Sequence, residues 1–211
     1  MNVRSMTEYT GAFYEQWDQP YVDLLLKEWS LDEKARVATL SVGQRQKLAV
    51  ILALGHHPEL LILDEPVASL DPVARRQFLK SLIEFTEHEE NTILFSTHIT
   101  SDLERVASHV VFLDEGKVGF KEELDELKNR VKRVRISGVH NLEQKLKIPG
   151  TLRAEYHETH ALLTVKDYQA QQMDSLAEEL NATITVEDLN LEEIFLELSD
   201  QSTSSLQQVI A

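Results

Sequence analysis

The 211 residues carry 36 acidic against 21 basic side chains, a formal net charge of -15, and no cysteine. An apolar share of 42% with 27% charged residues suits an ordinary folded protein of one large domain, or one medium and one small domain, and suggests neither a disordered nor a fibrous class. The acidic balance disfavours nucleic acid, the lack of thiols excludes disulfides and Cys-ligated metals, and no run reaches the roughly 18 apolar residues of a membrane span.

The first segment, 14–27, places Trp17, Tyr21, Leu24 and Leu25 at helical spacing. Ser41 precedes a helix over 44–54, with Gly55 as its stop. Pro58 then ends helical geometry, and the wholly apolar run 60–63 predicts a strand buried on both faces of a parallel sheet. A helix over 74–87, a strand over 92–96, a helix over 101–107 and a strand over 109–113 continue the alternation, which defines an open α/β sheet. A turn over 115–118 and a charged helix over 122–132 mark the domain boundary. Beyond it, short β runs at 134–137, 153–156 and 161–165, with a hairpin turn at 158–160, precede a helix over 171–180. A strand over 183–186 and a helix over 191–198 complete a small α+β domain. The divisions are thus 1–57, 58–131 and 132–200, and the Ser- and Gln-rich stretch 201–211 is expected to be a mobile tail.

Leu63, Asp64 and Glu65 put two carboxylates at the C-terminal end of a buried strand, where open α/β sheets bind their ligands. Asp64 there can hold Mg²⁺, and Glu65 can orient and deprotonate a water for in-line attack at a γ-phosphate. A solvated acidic turn is the plainer account of a bare Asp-Glu pair, but the apolar strand before it and Pro66 after it argue against that. Ser41 and Gly43 sit where the chain enters a helix, a natural anion site, although simple helix capping by Ser41 competes with that role. His98 follows the strand over 92–96 and should emerge at the same sheet edge, able to hydrogen-bond a transferring phosphate. Asp71 before Pro72 can cap the next helix. His56 and His57, before Pro58, suit a loop, and no histidine is assigned to a metal.

One element of such a site is missing from the sequence. A G-x-x-x-x-G-K-[ST] phosphate loop needs Gly-Lys with another Gly five places earlier. Only Gly116 precedes a Lys, and Val111 and Val118 fill the other required positions.

In this order and at these intervals, the motifs resemble the second half of an ABC-type nucleotide-binding domain over residues 17–130. Leu40, Ser41, Val42, Gly43 and Gln44 resemble its signature, the run from Leu60 to Asp64 its Walker B strand, Glu65 its catalytic glutamate, Ser69 to Asp71 its D-loop and His98 its switch histidine. The ending Asp188 to Leu198 is similar to the C-terminal extension of bacterial ABC-2-type transporter ATPases. The resemblance implies an incomplete P-loop NTPase core with a helical signature subdomain. It also implies ATP and Mg²⁺ as ligands, a second ATP-binding subunit meeting this one head to tail, a transmembrane permease, and a cytoplasmic place on the inner face of the membrane. By the resemblance Ser41, Gly43, Gln44 and Asp71 would bind ATP, Ser41 and Gly43 meeting the γ-phosphate held by the partner, while Asp64, Glu65 and His98 would serve a phosphate loop in cis.

By the same resemblance, a truncated chain lacks the phosphate loop, its central strand, the adenine-contacting strands and the glutamine loop. The gap would leave unpaired polar groups, each costing about 1–3 kcal/mol where buried, so the isolated chain is expected to be poorly stable and inactive alone. Two other functions compete with a transporter ATPase. One is a non-catalytic partner that donates its signature to an intact ATPase. The other is a head fragment of a DNA-repair or chromosome-maintenance ATPase, which the absence of heptads and the acidic charge disfavour.

Overall fold

The structure, a computed structural model, describes residues 1–87, 91–114, 116–140, 142–145 and 147–207. These form two compact units, divided between Asp102 and Leu103.

The first unit opens with α1 (Val3–Gly11), which the sequence did not predict. Its N-terminus is capped by Asn2, whose side chain accepts from Ser5 N. Only Val3 and Thr7 of this helix are buried, so it shows no broad apolar stripe. Helix α2 (Gln19–Glu28) begins later than the periodicity suggested, because Asp18 caps it and Pro20 lies in its first turn. Trp17 therefore sits ahead of the helix. A Cβ built on Gly11 or on Gly55 would lie 2.7 Å from its indole ring, so the ring packs where only glycine leaves room.

Helix α3 (Val42–Leu54) buries Leu48, Val50, Ile51 and Leu54, and α4 (Pro72–Thr86) buries Phe78, Leu79, Leu82 and Phe85. Trp29, at the end of α2, meets the Phe78 ring edge-on at 6.2 Å. Strand β1 (Leu60–Asp64) pairs in parallel with β2 (Thr92–Ser96), Leu61 opposite Ile93 and Asp64 opposite Ser96. One expectation fails here. Leu61 is buried, but Leu60, Ile62 and, across from Ile62, Leu94 are more than half exposed, so β1 is covered on one face. Its apolar run reads as doubly buried, yet among the described residues of this unit the second face has no cover.

The second unit takes in the end of α5 (Thr100–Val106) and the antiparallel hairpin of β3 (His109–Asp114) and β4 (Lys117–Glu123). In place of the expected turn over 115–118, β4 starts at Lys117 after Gly116 at φ 77°, and Glu115 lies outside the described residues. After α6 (Leu124–Arg130), a four-stranded antiparallel sheet follows in the order β6-β7-β5-β8, from β5 (Lys132–Ser137), β6 (Thr151–Tyr156), β7 (His160–Val165) and β8 (Thr183–Asp188). The short α7 (Leu142–Lys145) lies between β5 and β6, and α8 (Ala170–Leu180) and α9 (Leu191–Gln207) follow β7 and β8. Val134, Ile136, Leu163, Val165 and Met173 form one core.

The divide between units falls before Leu103, earlier than the boundary at 131 or in the charged helix over 122–132. The reason is packing: Val110, Leu124, Leu127 and Val131 share a second core with Leu189, Leu191 and Ile194, and the rings of Phe112, Phe120 and Phe195 stack at 5.4 to 5.9 Å. The hairpin thus belongs with the C-terminal sheet. Helix α9 runs to Gln207, so the stretch read as a tail from 201 begins as helix, and 208–211 lie outside the described residues.

Candidate functional site

Asp64 ends β1 and His98 follows β2, so the parallel pairing delivers both to one edge of the two-stranded sheet. Glu65, just past β1, holds the left-handed backbone φ of 45°, which a long side chain adopts only where its surroundings fix it. Its amide donates to the Ser96 carbonyl at 3.2 Å and to Ser96 Oγ at 3.1 Å. The Glu65 carboxylate in turn accepts from His98 Nδ1 at 2.9 and 3.0 Å. An ionised carboxylate only accepts, so the assigned proton lies on Nδ1, and Nε2 is left as a lone pair in the neutral ring or as a donor in the imidazolium. Only the doubly protonated ring could therefore donate to a phosphate oxygen while keeping Glu65. Both side chains are open to solvent, 72% for His98 and 37% for Glu65.

Ser96 is the residue that sequence reasoning missed. Its hydroxyl donates to Asp64 Oδ1 at 2.5 Å while accepting from Glu65 N. A serine at a strand end carries no pattern, and only the parallel register sets it beside Asp64.

No three acidic or histidine side chains gather as a metal cage among the described residues. Asp64 nonetheless suits Mg²⁺, a hard ion that takes one or two carboxylates and fills its octahedron with water and phosphate oxygens. Ser96 holds Oδ1, and Oδ2 has no protein partner among the described residues.

The other predicted residues form a second group around the start of α3. Ser41 Oγ accepts from Gln44 N at 3.2 Å and Gln44 Oε1 accepts from Ser41 N at 2.9 Å, a reciprocal capping box. Ser41, Val42 and Gln44 are exposed, so this helix end faces solvent in its own unit. Gly43 approaches protein backbone: a Cβ there would lie 2.8 Å from the Ser69 carbonyl oxygen. That approach alone requires glycine. Asp71 caps α4, accepting from Val73 N at 2.9 Å and Ala74 N at 3.0 Å. The Ala74 amide, then the Val73 amide and the charge of Lys47, hold its carboxyl below the ordinary 3.8. The structure thus brings Asp64, Glu65 and His98 together, and separately joins the signature-like helix start to the loop of Ser69 and Asp71. No hydrogen bond links the two groups among the described residues.

Residues 16–101 match a family described as "AAA domain, putative AbiEii toxin, Type IV TA system". The chain is 39% identical over 117 residues to YxlF, an uncharacterized ABC transporter ATP-binding protein of Bacillus subtilis, covering 56% of this chain and 38% of that protein. It is 33% identical over 171 residues to an uncharacterized ABC transporter ATP-binding protein of Alkalihalophilus pseudofirmus, covering 78% of this chain and 63% of the relative. A solved structure described as an ATP binding subunit of ABC transporter superposes with a TM-score of 0.55 at 28% identity, over 61% of this chain and 55% of that one. The chain therefore spans less than two thirds of the length of these relatives.

Proposed function

We propose that this chain, a homologue of ABC transporter ATP-binding proteins that spans part of their domain, contributes the hydrolytic carboxylates and the signature surface of an ATPase that energises a membrane permease. Asp64, through Oδ2, is the residue that would hold Mg²⁺, which when bound neutralises charge on the phosphate oxygens. Glu65 orients and deprotonates the attacking water, and His98 as imidazolium both steadies Glu65 and donates from Nε2 to a phosphate oxygen. Ser41, Gly43 and Gln44, exposed at the positive end of α3, meet a nucleotide held by a second ATP-binding subunit, with the Asp71 turn packed behind them. No helix among the described residues is long and apolar enough to cross a membrane. In this reading the membrane partner is a permease, on whose cytoplasmic side this chain works.

The observation that carries this reading is the contact of Glu65 with His98 Nδ1 at the sheet edge that also bears Asp64. The solvent-facing start of α3 favours a second role, donation of the signature to an ATPase with its own phosphate loop. The two roles separate in one experiment. The 211 residues alone should show no Mg²⁺-dependent ATP turnover, since they contain no phosphate-loop sequence. Added to a full-length relative, the chain should change that relative's turnover, and Ser41→Arg should abolish the change. Turnover by the chain alone that Glu65→Gln removes would overturn the first statement. An effect indifferent to Ser41→Arg would overturn the second.

A further inference from the structure

We infer that Ser96 is a positioning residue for Asp64 and Glu65, an assignment that rests on the proposed reading of that pair as the carboxylates of an ATPase site. The register of the parallel pair sets Ser96 directly beside Asp64. A hydroxyl has one proton to give and two lone pairs to receive with, and both capacities are used here. The proton goes to Asp64 Oδ1 at 2.5 Å, and a lone pair takes the Glu65 amide at 3.1 Å.

The consequences for the two carboxylates differ. Asp64 is held through Oδ1, which leaves Oδ2, without a protein partner among the described residues, as the atom free to meet a cation. Glu65 is gripped through its backbone. Its amide is shared between the Ser96 carbonyl and hydroxyl, and this double acceptor holds the residue at φ 45°, where the Cβ of an L residue crowds its own carbonyl. At that φ the side chain reaches His98 Nδ1. One serine thus sets the metal-facing oxygen of one carboxylate and the histidine contact of the next. An alanine would remove donor and acceptor together, whereas threonine keeps both and suits a strand end.

NMR of the isotopically labelled 211-residue chain tests this without requiring turnover. In the wild type, spectra recorded at a pH alkaline enough to leave a single proton on the His98 ring should place that proton on Nδ1, and the Glu65 backbone couplings should report a positive φ. Ser96→Ala should lose both signatures, His98 reverting to the Nε2-protonated tautomer, while Ser96→Thr retains them. Retention of both signatures in a folded Ser96→Ala chain would overturn the inference. Where Ser96→Ala does not fold, Ser96→Val decides, because it matches the shape of Ser96→Thr without donor or acceptor: loss of the signatures supports the role, and wild-type signatures overturn it. Glu65→Ala separates the underlying reading. If that substitution leaves the His98 ring nitrogens unchanged, the Glu65–His98 contact itself is absent and the site reading fails, whatever Ser96 does.

Discussion

Gly43, in the first turn of α3, and Ser69, in the loop before α4, are in contact so close that a Cβ on the glycine would lie 2.8 Å from the serine carbonyl oxygen. Replacing a helical glycine with alanine ordinarily gains up to about 1 kcal/mol of helix propensity. Overpacking against an atom that cannot swing aside costs about 1–3 kcal/mol, and the atom here is backbone. Gly43→Ala should therefore destabilise the chain by about 1 kcal/mol net in urea unfolding. A stabilised variant would mean that α3 and the Ser69 loop are not held together.

The caps of α2 and α4 make a prediction in pH. The carboxyl of Asp71 is held below 3.8 first by the Ala74 amide, and that of Asp18 first by the Tyr21 amide and then by His57. A depressed folded pKa contributes stability that is complete above the unfolded value of 3.8 and disappears as pH falls through the lower folded value. Asp71→Asn keeps the capping oxygen but not the charge. The variant should be less stable than wild type at neutral pH, with the difference closing below the unfolded value. Urea midpoints measured from pH 7 downward would show this, and a gap that persists or widens in acid would contradict it.

The elements of the fold differ in how far the residues alone reveal them. Helices α3 and α4 were legible because a capping residue and a run of apolar positions coincide in each, with Gly55 as a stop for α3. Helix α1 was not, since its burial rests on Val3 and Thr7 alone, and β4 was not, since Lys117, Lys121, Glu122 and Glu123 give it little apolar character. The placement of Asp64, Glu65 and His98 at one end of the parallel pair was legible, because each lies at or just past the end of a recognisable strand. Ser96 escaped because its role depends on the residue facing it across the sheet. The run Leu60 to Leu63 announced a strand, but an apolar sequence states which faces seek cover and says nothing of whether a second layer is present.

That uncovered face yields a solubility prediction. Leu60, Ile62 and Leu94 stand 54%, 66% and 56% exposed on a short two-stranded sheet, an apolar face beside unpaired strand edges. Ile62→Thr with Leu94→Thr puts a β-branched residue at both strand positions while removing apolar surface. Stability should change by no more than about 0.5 kcal/mol, and light scattering should show less self-association at equal concentration. A loss of about 2 kcal/mol or more, the scale of core truncation, would mean that the face is covered in solution.

Asp102, 4% exposed at the start of α5, is answered by Arg75 of α4 at 3.7 Å, and among the described residues neither Asp102 Oδ2 nor Arg75 Nε has a hydrogen-bond partner. This ion pair is too long for a charge-assisted hydrogen bond, so its contribution is mainly coulombic. Removing one member of a buried pair costs about 3–5 kcal/mol, because the other charge stays buried without compensation. Arg75 is about one-third exposed and water screens part of the attraction, so Arg75→Met should cost less, about 2 kcal/mol. Asp102→Asn removes the charge that makes that variant costly. Arg75→Met with Asp102→Asn should therefore recover most of the loss, a coupling visible in a double-mutant cycle by urea unfolding. Additive single losses would mean that the two groups act independently, and that the packing of the Arg75 stem, not its charge, supports α4.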